Sequence, residues 1–143
     1  MGITQRYTFP KTMRLSSKKE IDALFVNGKA FTLGPFRVFY LIQAAMGDSP
    51  SCRVVISVPK KHHKRAVVRN LIRRRTRESY RLYYPSLLAR TVKSSHASLS
   101  FLCLYLPHEI LTYRDIESKM QALLERLSQI LEKSGHFSIP AAD

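Results

Sequence analysis

Lys60 to Arg81 reads KKHHKRAVVRNLIRRRTRESYR, and its two chemically opposed sides decide how the rest of the chain must be arranged. It holds ten Lys and Arg residues against one acid, Glu78, and so carries +9 of the formal net charge of +14. From Ala66 to Tyr84 there is no Gly or Pro, and Arg, Leu and Ala dominate, so the run is expected to be helical until Pro85 stops it. At about 100° per residue, Arg69, Asn70, Arg73, Arg77 and Arg81 fall within about 120° of one another. Val67, Val68, Leu71, Ile72 and Leu82 occupy the opposite side, which suits a core. The charged side is nearly all guanidinium, and like charges at i, i+4 go unrelieved, so a polyanion is the natural counterpart. Arg75 falls within the apolar side, where its stem can pack while its head reaches an edge.

At 143 residues and 45% hydrophobic, the chain is long and apolar enough for one folded domain. The sequence pI of about 10.2 is the balance of a phosphate-binding protein. The excess charge is localised, because from Glu109 to Asp143 six acids meet four bases. Cys52 and Cys103 lie in apolar strand-like runs and read as small buried hydrophobes in a reducing compartment. No apolar run reaches the ~20 residues needed to cross a bilayer, and no signal-peptide pattern opens the chain, so a soluble, cytoplasmic protein without a membrane partner is expected.

Outward from the basic run, residues 1–13 read as an extended basic arm, 14–134 as a single domain and 135–143 as a tail. Ser17-Lys18-Lys19-Glu20 is a capping box that starts a short helix, with Ile21, Leu24 and Phe25 as its apolar edge and Gly28 as its end. Phe36 to Gln43 alternates as a strand, with Phe36, Val38, Tyr40 and Ile42 on one face and Arg37, Phe39 and Leu41 on the other. After a turn at Gly47 to Pro50, Cys52 to Val58 returns as a second strand, and the two are expected to form an antiparallel hairpin. A polar connection then leads to Leu99 to Leu106, the most apolar run, which suits a central strand buried on both faces. The basic helix is thus a crossover between two strands, a βαβ unit if they are parallel. A last helix opens at Thr112, with Asp115 in its cap and a core stripe of Ile116, Met120, Leu123, Leu124, Leu127, Ile130 and Leu131.

The acids are scattered, with no D-x-D or equivalent cluster for a metal-dependent nuclease. There is no Walker loop, dinucleotide fingerprint or nucleophile signature, so neither a catalytic side chain nor a small-molecule substrate is assigned. His62 and His63 cannot share a face and are ringed by Lys60, Lys61, Lys64 and Arg65; they read as loop or phosphate contacts. An aromatic beside an arginine, as at Arg37 and Phe39, can stack a base and hold its phosphate, or can simply be an edge strand covered by a helix.

Ala66-Val67-Val68-Arg69-Asn70-Leu71-Ile72-Arg73-Arg74, preceded by Ser57-Val58-Pro59-Lys60-Lys61 and followed by Arg77-Glu78, resembles the signature segment of the bacterial ribonuclease P protein subunit. The order of the flanking elements is similar over about residues 14 to 130. Leu71 departs from the second arginine of the family's Arg-Asn-Arg core, and Arg75 stands where an apolar residue is usual. The resemblance implies an α+β sandwich with a small mixed four-stranded sheet and about three helices, like one domain of a ribosomal protein, with a left-handed crossover through the basic helix. It also implies a partner, a large catalytic RNA that removes the 5′ leader of precursor tRNA, with Mg²⁺ bound mainly by RNA and substrate phosphates. Lys60, Lys61, Lys64, Arg65, Arg69, Asn70, Arg73, Arg74, Arg77 and Arg81 would face the catalytic RNA, while Ile21, Phe25, Arg37 and Phe39 would line a cleft for the leader. Charge alone would equally suit a ribosome-associated or general structured-RNA binder, and a protein-only nuclease would have to cleave without added RNA.

Overall fold

The computed structural model describes residues 18–45 and 50–134; the arm at 1–13, the Ser17 hydroxyl, the turn at 47–49 and the tail at 135–143 lie outside them. In chain order the described elements are α1 (Lys18–Asn27), β1 (Lys29–Leu33), β2 (Phe36–Ala44), β3 (Ser51–Ser57), α2 (Ala66–Leu87), α3 (Ala89–Ser94), β4 (Ala97–Tyr105) and α4 (Tyr113–Ser134). The strands form one mixed sheet in the order β1-β2-β4-β3. This is the expected α+β architecture, with four described helices instead of about three.

The pairing corrects the expected β2–β3 hairpin. β2 pairs antiparallel with β1 on one side and with β4 on the other, and among the described strands β3 pairs only with β4, in parallel. β4 has therefore inserted between them. Its Phe101, Leu102 and Cys103 are consecutive and all buried, so both of its faces need cover, which only a central position provides. β1, unrecognised in the sequence, adds the far edge through a tight turn in which Gly34 takes φ +58°, a left-handed conformation suited to glycine.

Helices cover the two faces unequally. On one face, Ile72 and Tyr80 of α2, Leu88, Val92 of α3 and the α4 stripe close over Phe36, Val38, Cys52, Val54, Leu99 and Phe101. All the anticipated α4 stripe residues are buried except Ile130, which is half-buried. Thr112 caps α4 by accepting the Asp115 N–H at 3.1 Å. Both cysteines are buried and unbridged, as expected. On the other face α1 is the one helix among the described residues, its Leu24 pressed on Leu102 with Ile21, Phe39, Leu41, Val55 and Leu104 around them.

Pro85 does not stop α2, which continues to Leu87 and closes with the Leu88 N–H on Tyr84 O at 3.0 Å. The lost Pro85 N–H bond is offset because the extra turn carries Leu88 fully into the core, and the anticipated polar connection becomes α3. Arg75 follows expectation: its stem is half-buried and its Nη1 donates to Leu111 O at 2.5 Å, just before α4. No described helix is long and apolar enough to cross a membrane.

Candidate nucleic-acid interface

α2 begins without a side-chain cap and without an acid in its first turn. The positive end of its dipole is therefore unrelieved, and Lys60, Lys61, Lys64 and Arg65 stand exposed in the connection that leads into it. Arg69 shapes that connection, because its Nη1 donates to His63 O at 3.0 Å and to Lys64 O at 2.8 Å. One guanidinium thus holds the loop's carbonyls inward and leaves its lysines outward. Further along the ridge Arg73 donates to Asn70 Oδ1 at 2.7 Å, which aligns both side chains. Arg74 and Arg77 are exposed, and Arg81 is ion-paired with Glu78, which lowers the net charge at that end.

The paired histidines part company. His63 is 6% exposed, with Nε2 2.8 Å from Pro107 O and its ring 5.8 Å from Tyr105, so it ties the β3–α2 connection to the β4–α4 connection. Of its two expected roles, the structure shows the loop contact. His62 stacks on His108, their ring centroids 4.0 Å apart. Burial, then His108, Lys61 and His63, hold its pKa below the ordinary imidazole value.

On the opposite face of the sheet a second cluster forms. Register sets Ala30, Phe39, Leu102 and Val55 in one row, and Thr32, Arg37, Leu104 and Ser57 in the next. Phe25 of α1 leans over Phe39, with ring centroids 4.9 Å apart and planes inclined by 55°. The Arg37 guanidinium carbon lies 5.2 Å from the Phe39 ring centroid, and its Nη1 donates to Thr32 Oγ1 at 3.1 Å. Phe25 is 54% exposed, a large aromatic surface kept in solvent beside a cation. Ile21, Phe25, Arg37 and Phe39 are thus brought together, as the sequence reading expected. It missed an ion pair that sets the angle of α1: Arg53 Nη1 of β3 donates to both Glu20 oxygens, at 2.8 and 2.6 Å. The alternation of Arg53, Val55 and Ser57 along CRVVISV was the available signal.

Burial pushes the Cys52 thiol up to about 12, and the Cys103 thiol is raised for the same reason, so neither is a poised nucleophile. Among the described residues, no group of three or more His, Cys, Asp or Glu side chains converges to hold a metal ion.

Comparison with known proteins matches this basic α+β domain to a family described as Ribonuclease P, over residues 9–128. The chain is 33% identical over 118 residues to the ribonuclease P protein component of Porphyromonas gingivalis, covering 82% of this chain and 85% of that one. The chain belongs to the ribonuclease P protein family. A second ribonuclease P protein component, from Desulfovibrio desulfuricans, is 30% identical over 134 residues, 91% of this chain and 94% of that one. Solved ribonuclease P proteins share the fold. That of Staphylococcus aureus matches with a TM-score of 0.63 at 20% identity, over 82% of this chain and 96% of that one. That of Thermotoga maritima matches with 0.60 at 20%, over 79% and 96%. As the ribonuclease P protein component, the chain is the protein part of a ribonucleoprotein endonuclease that processes the 5′ leader of tRNA precursors.

Proposed function

We propose that the two faces divide the work of the ribonucleoprotein. Lys60, Lys61, Lys64 and Arg65, with Arg69, Asn70, Arg73, Arg74, Arg77 and Arg81 of α2, neutralise phosphates of the catalytic RNA. Ile21, Phe25, Arg37 and Phe39 hold the single-stranded leader of precursor tRNA, an aromatic stacking a base while Arg37 meets a phosphate. The observation that carries this reading is the Phe25–Phe39–Arg37 cluster: an aromatic 54% exposed, 4.9 Å from a second ring that is itself flanked by a guanidinium. Mg²⁺ would be held by RNA and substrate phosphates, since the described side chains offer no converging carboxylates. The protein's own contribution is then electrostatic and positional: it offsets repulsion between two RNAs and favours substrate that still has its leader.

The experiment is a pair of affinities in the complex reconstituted with the catalytic RNA. Precursor with a leader should bind more tightly than mature tRNA, and Phe25→Ala with Phe39→Ala should narrow that gap without weakening mature tRNA. Stacking of one base is worth about 1–3 kcal/mol, so the gap should narrow by roughly fivefold to a hundredfold. Equal affinities in the unaltered complex would end the leader assignment.

A further inference from the structure

We propose that His62 and His108 form a two-histidine site for a divalent transition-metal cation such as Zn²⁺, held between the β3–α2 and β4–α4 connections. The two rings face each other, with centroids 4.0 Å apart and planes inclined by 39°. Their meeting is built by the fold. The His62 and His63 N–H groups both donate to Pro59 O at 3.2 Å, which fixes a tight turn. Within it His63 Nε2 lies 2.8 Å from Pro107 O, so His108, the next residue, is carried opposite His62.

The decisive detail is His62 Nδ1, which is buried and has no hydrogen-bond partner. A buried polar atom without a partner costs about 1–3 kcal/mol, and native interiors rarely leave one. The Leu106 backbone lies close to the same ring. In the tautomer whose proton sits on Nε2, Nδ1 presents a lone pair that a cation can take. As the rings stand their in-plane lone pairs do not converge, so the exposed His108 must turn about its side-chain bonds to offer a ring nitrogen to the same ion. Two imidazoles select borderline cations such as Zn²⁺, Ni²⁺ or Cu²⁺ over Mg²⁺, which prefers oxygen. Water completes the coordination in the free protein. The neighbouring Lys60 and Lys61 limit affinity, so the site is weaker than a structural zinc site and serves to clamp two loops. It stands independently of how the RNA-binding faces are assigned.

The test is ZnCl₂ titrated calorimetrically into the full chain at neutral pH, for the unaltered protein and for His62→Gln, His108→Ala and His96→Ala. The expected result is one Zn²⁺ per chain, weakened roughly tenfold or more by either His62→Gln or His108→Ala and unchanged by His96→Ala. His108→Ala removes an exposed side chain, so its fold, checked by circular dichroism, keeps the outcome interpretable. Zn²⁺ should also raise the melting temperature of the unaltered protein and not of these two variants. Binding that survives in both variants, an adventitious ion only, would overturn the proposal, as would no binding at all.

Discussion

Arg73→Ala and Arg75→Ala change the same residue type two positions apart on α2, yet they should damage the protein in different ways. Arg73 stands on the outward ridge and donates to Asn70 Oδ1 at 2.7 Å, whereas Arg75 Nη1 is turned onto Leu111 O at 2.5 Å. If Arg73 meets a phosphate, its loss removes about 0.9 from the slope of log affinity against log salt, taking the duplex value. Between about 50 and 200 mM salt that amounts to ~0.5 log units, so the variant's deficit should shrink roughly threefold as salt rises. For Arg75 the loss is a charge-assisted hydrogen bond plus the packing of a half-buried stem. Because Leu111 O regains water, about 1–2 kcal/mol is a fair magnitude, or about 4–8 °C in melting temperature for a chain of this size. Filter binding to the catalytic RNA across a salt series gives the slopes, and scanning calorimetry gives the stabilities. An unchanged slope in Arg73→Ala, or an equal loss of slope in Arg75→Ala, would refute the division of the helix into a phosphate ridge and a packing side.

Other substitutions separate local causes of stability. Gly28→Ala should cost about 3 kcal/mol, since a Cβ there would meet Leu24 O at 2.4 Å and Tyr40 O at 2.6 Å, both backbone atoms; Gly34→Ala should cost about 1–2 kcal/mol, because its φ is +58° but the crowding atoms belong to the flexible Lys119 side chain. Denaturant titration ranks the two, and the reverse order would contradict the close approach of α1 to β2. Cys52 and Cys103 should resist a thiol reagent at pH 8 in the native state and react only in denaturant, since both are buried and the Cys52 thiol is held at about 12. The lowered pKa of His62 means that below about pH 6.5 the unfolded chain takes up a proton the native one resists. Stability should therefore fall as pH drops from 7 to 5.5 with chelator present, and His62→Gln should flatten that fall if the neighbouring His108, Lys61 and His63 act as described.

What could be read from the sequence was what local periodicity encodes. The α4 stripe and the alternation of Phe36, Val38 and Tyr40 against Arg37, Phe39 and Leu41 depend on residues within a few turns of one another and were found as expected, whereas α2 packs through Val68 and Ile72 but leaves Val67 and Leu82, also placed on its core side by the wheel, exposed, because the helix reaches past the sheet it covers. What failed was non-local. Joining β2 to β3 as a hairpin follows nearness in sequence, yet a strand as apolar as β4 must be flanked on both edges, and these two expectations conflict. The burial of Phe101, Leu102 and Cys103 shows which one physics enforces. β1 was missed because five residues in which only Phe31 and Leu33 are partly buried carry too little alternation to announce a strand. Pro85 misled for a similar reason: its local penalty was legible, but the burial of Leu88 that offsets it depends on the remote sheet. His62 and His108 could not be joined from sequence, because their meeting depends on His63 reaching Pro107 O across 44 positions of chain.

The parallel pairing of β3 with β4 has a consequence for which bases matter to which RNA. Ser57, Leu104 and Arg37 share one row, so the end of β3, the end of β4 and the start of β2 lie at the same end of the sheet. Lys60 and Lys61 follow directly from that end, beside the Arg37 side of the cleft. α2 then runs back along the sheet, and its Tyr80 hydroxyl lies 3.5 Å from Cys52 Sγ, near the start of β3. Arg81 is therefore at the opposite end from Arg37. If the Arg37 cluster holds the leader as proposed, a strand leaving it past Arg37 would reach Lys60 and Lys61 before any residue of α2. Lys61→Ala should accordingly weaken both catalytic-RNA binding and the preference for precursor over mature tRNA. Arg81→Ala should leave that preference intact and change the salt slope by less than the ~0.9 of a full phosphate contact, because Glu78 already partners it. Measured in the same reconstituted complex, a loss of leader preference in Arg81→Ala, or an intact preference in Lys61→Ala, would mean that the leader leaves the cleft toward the other end of the sheet.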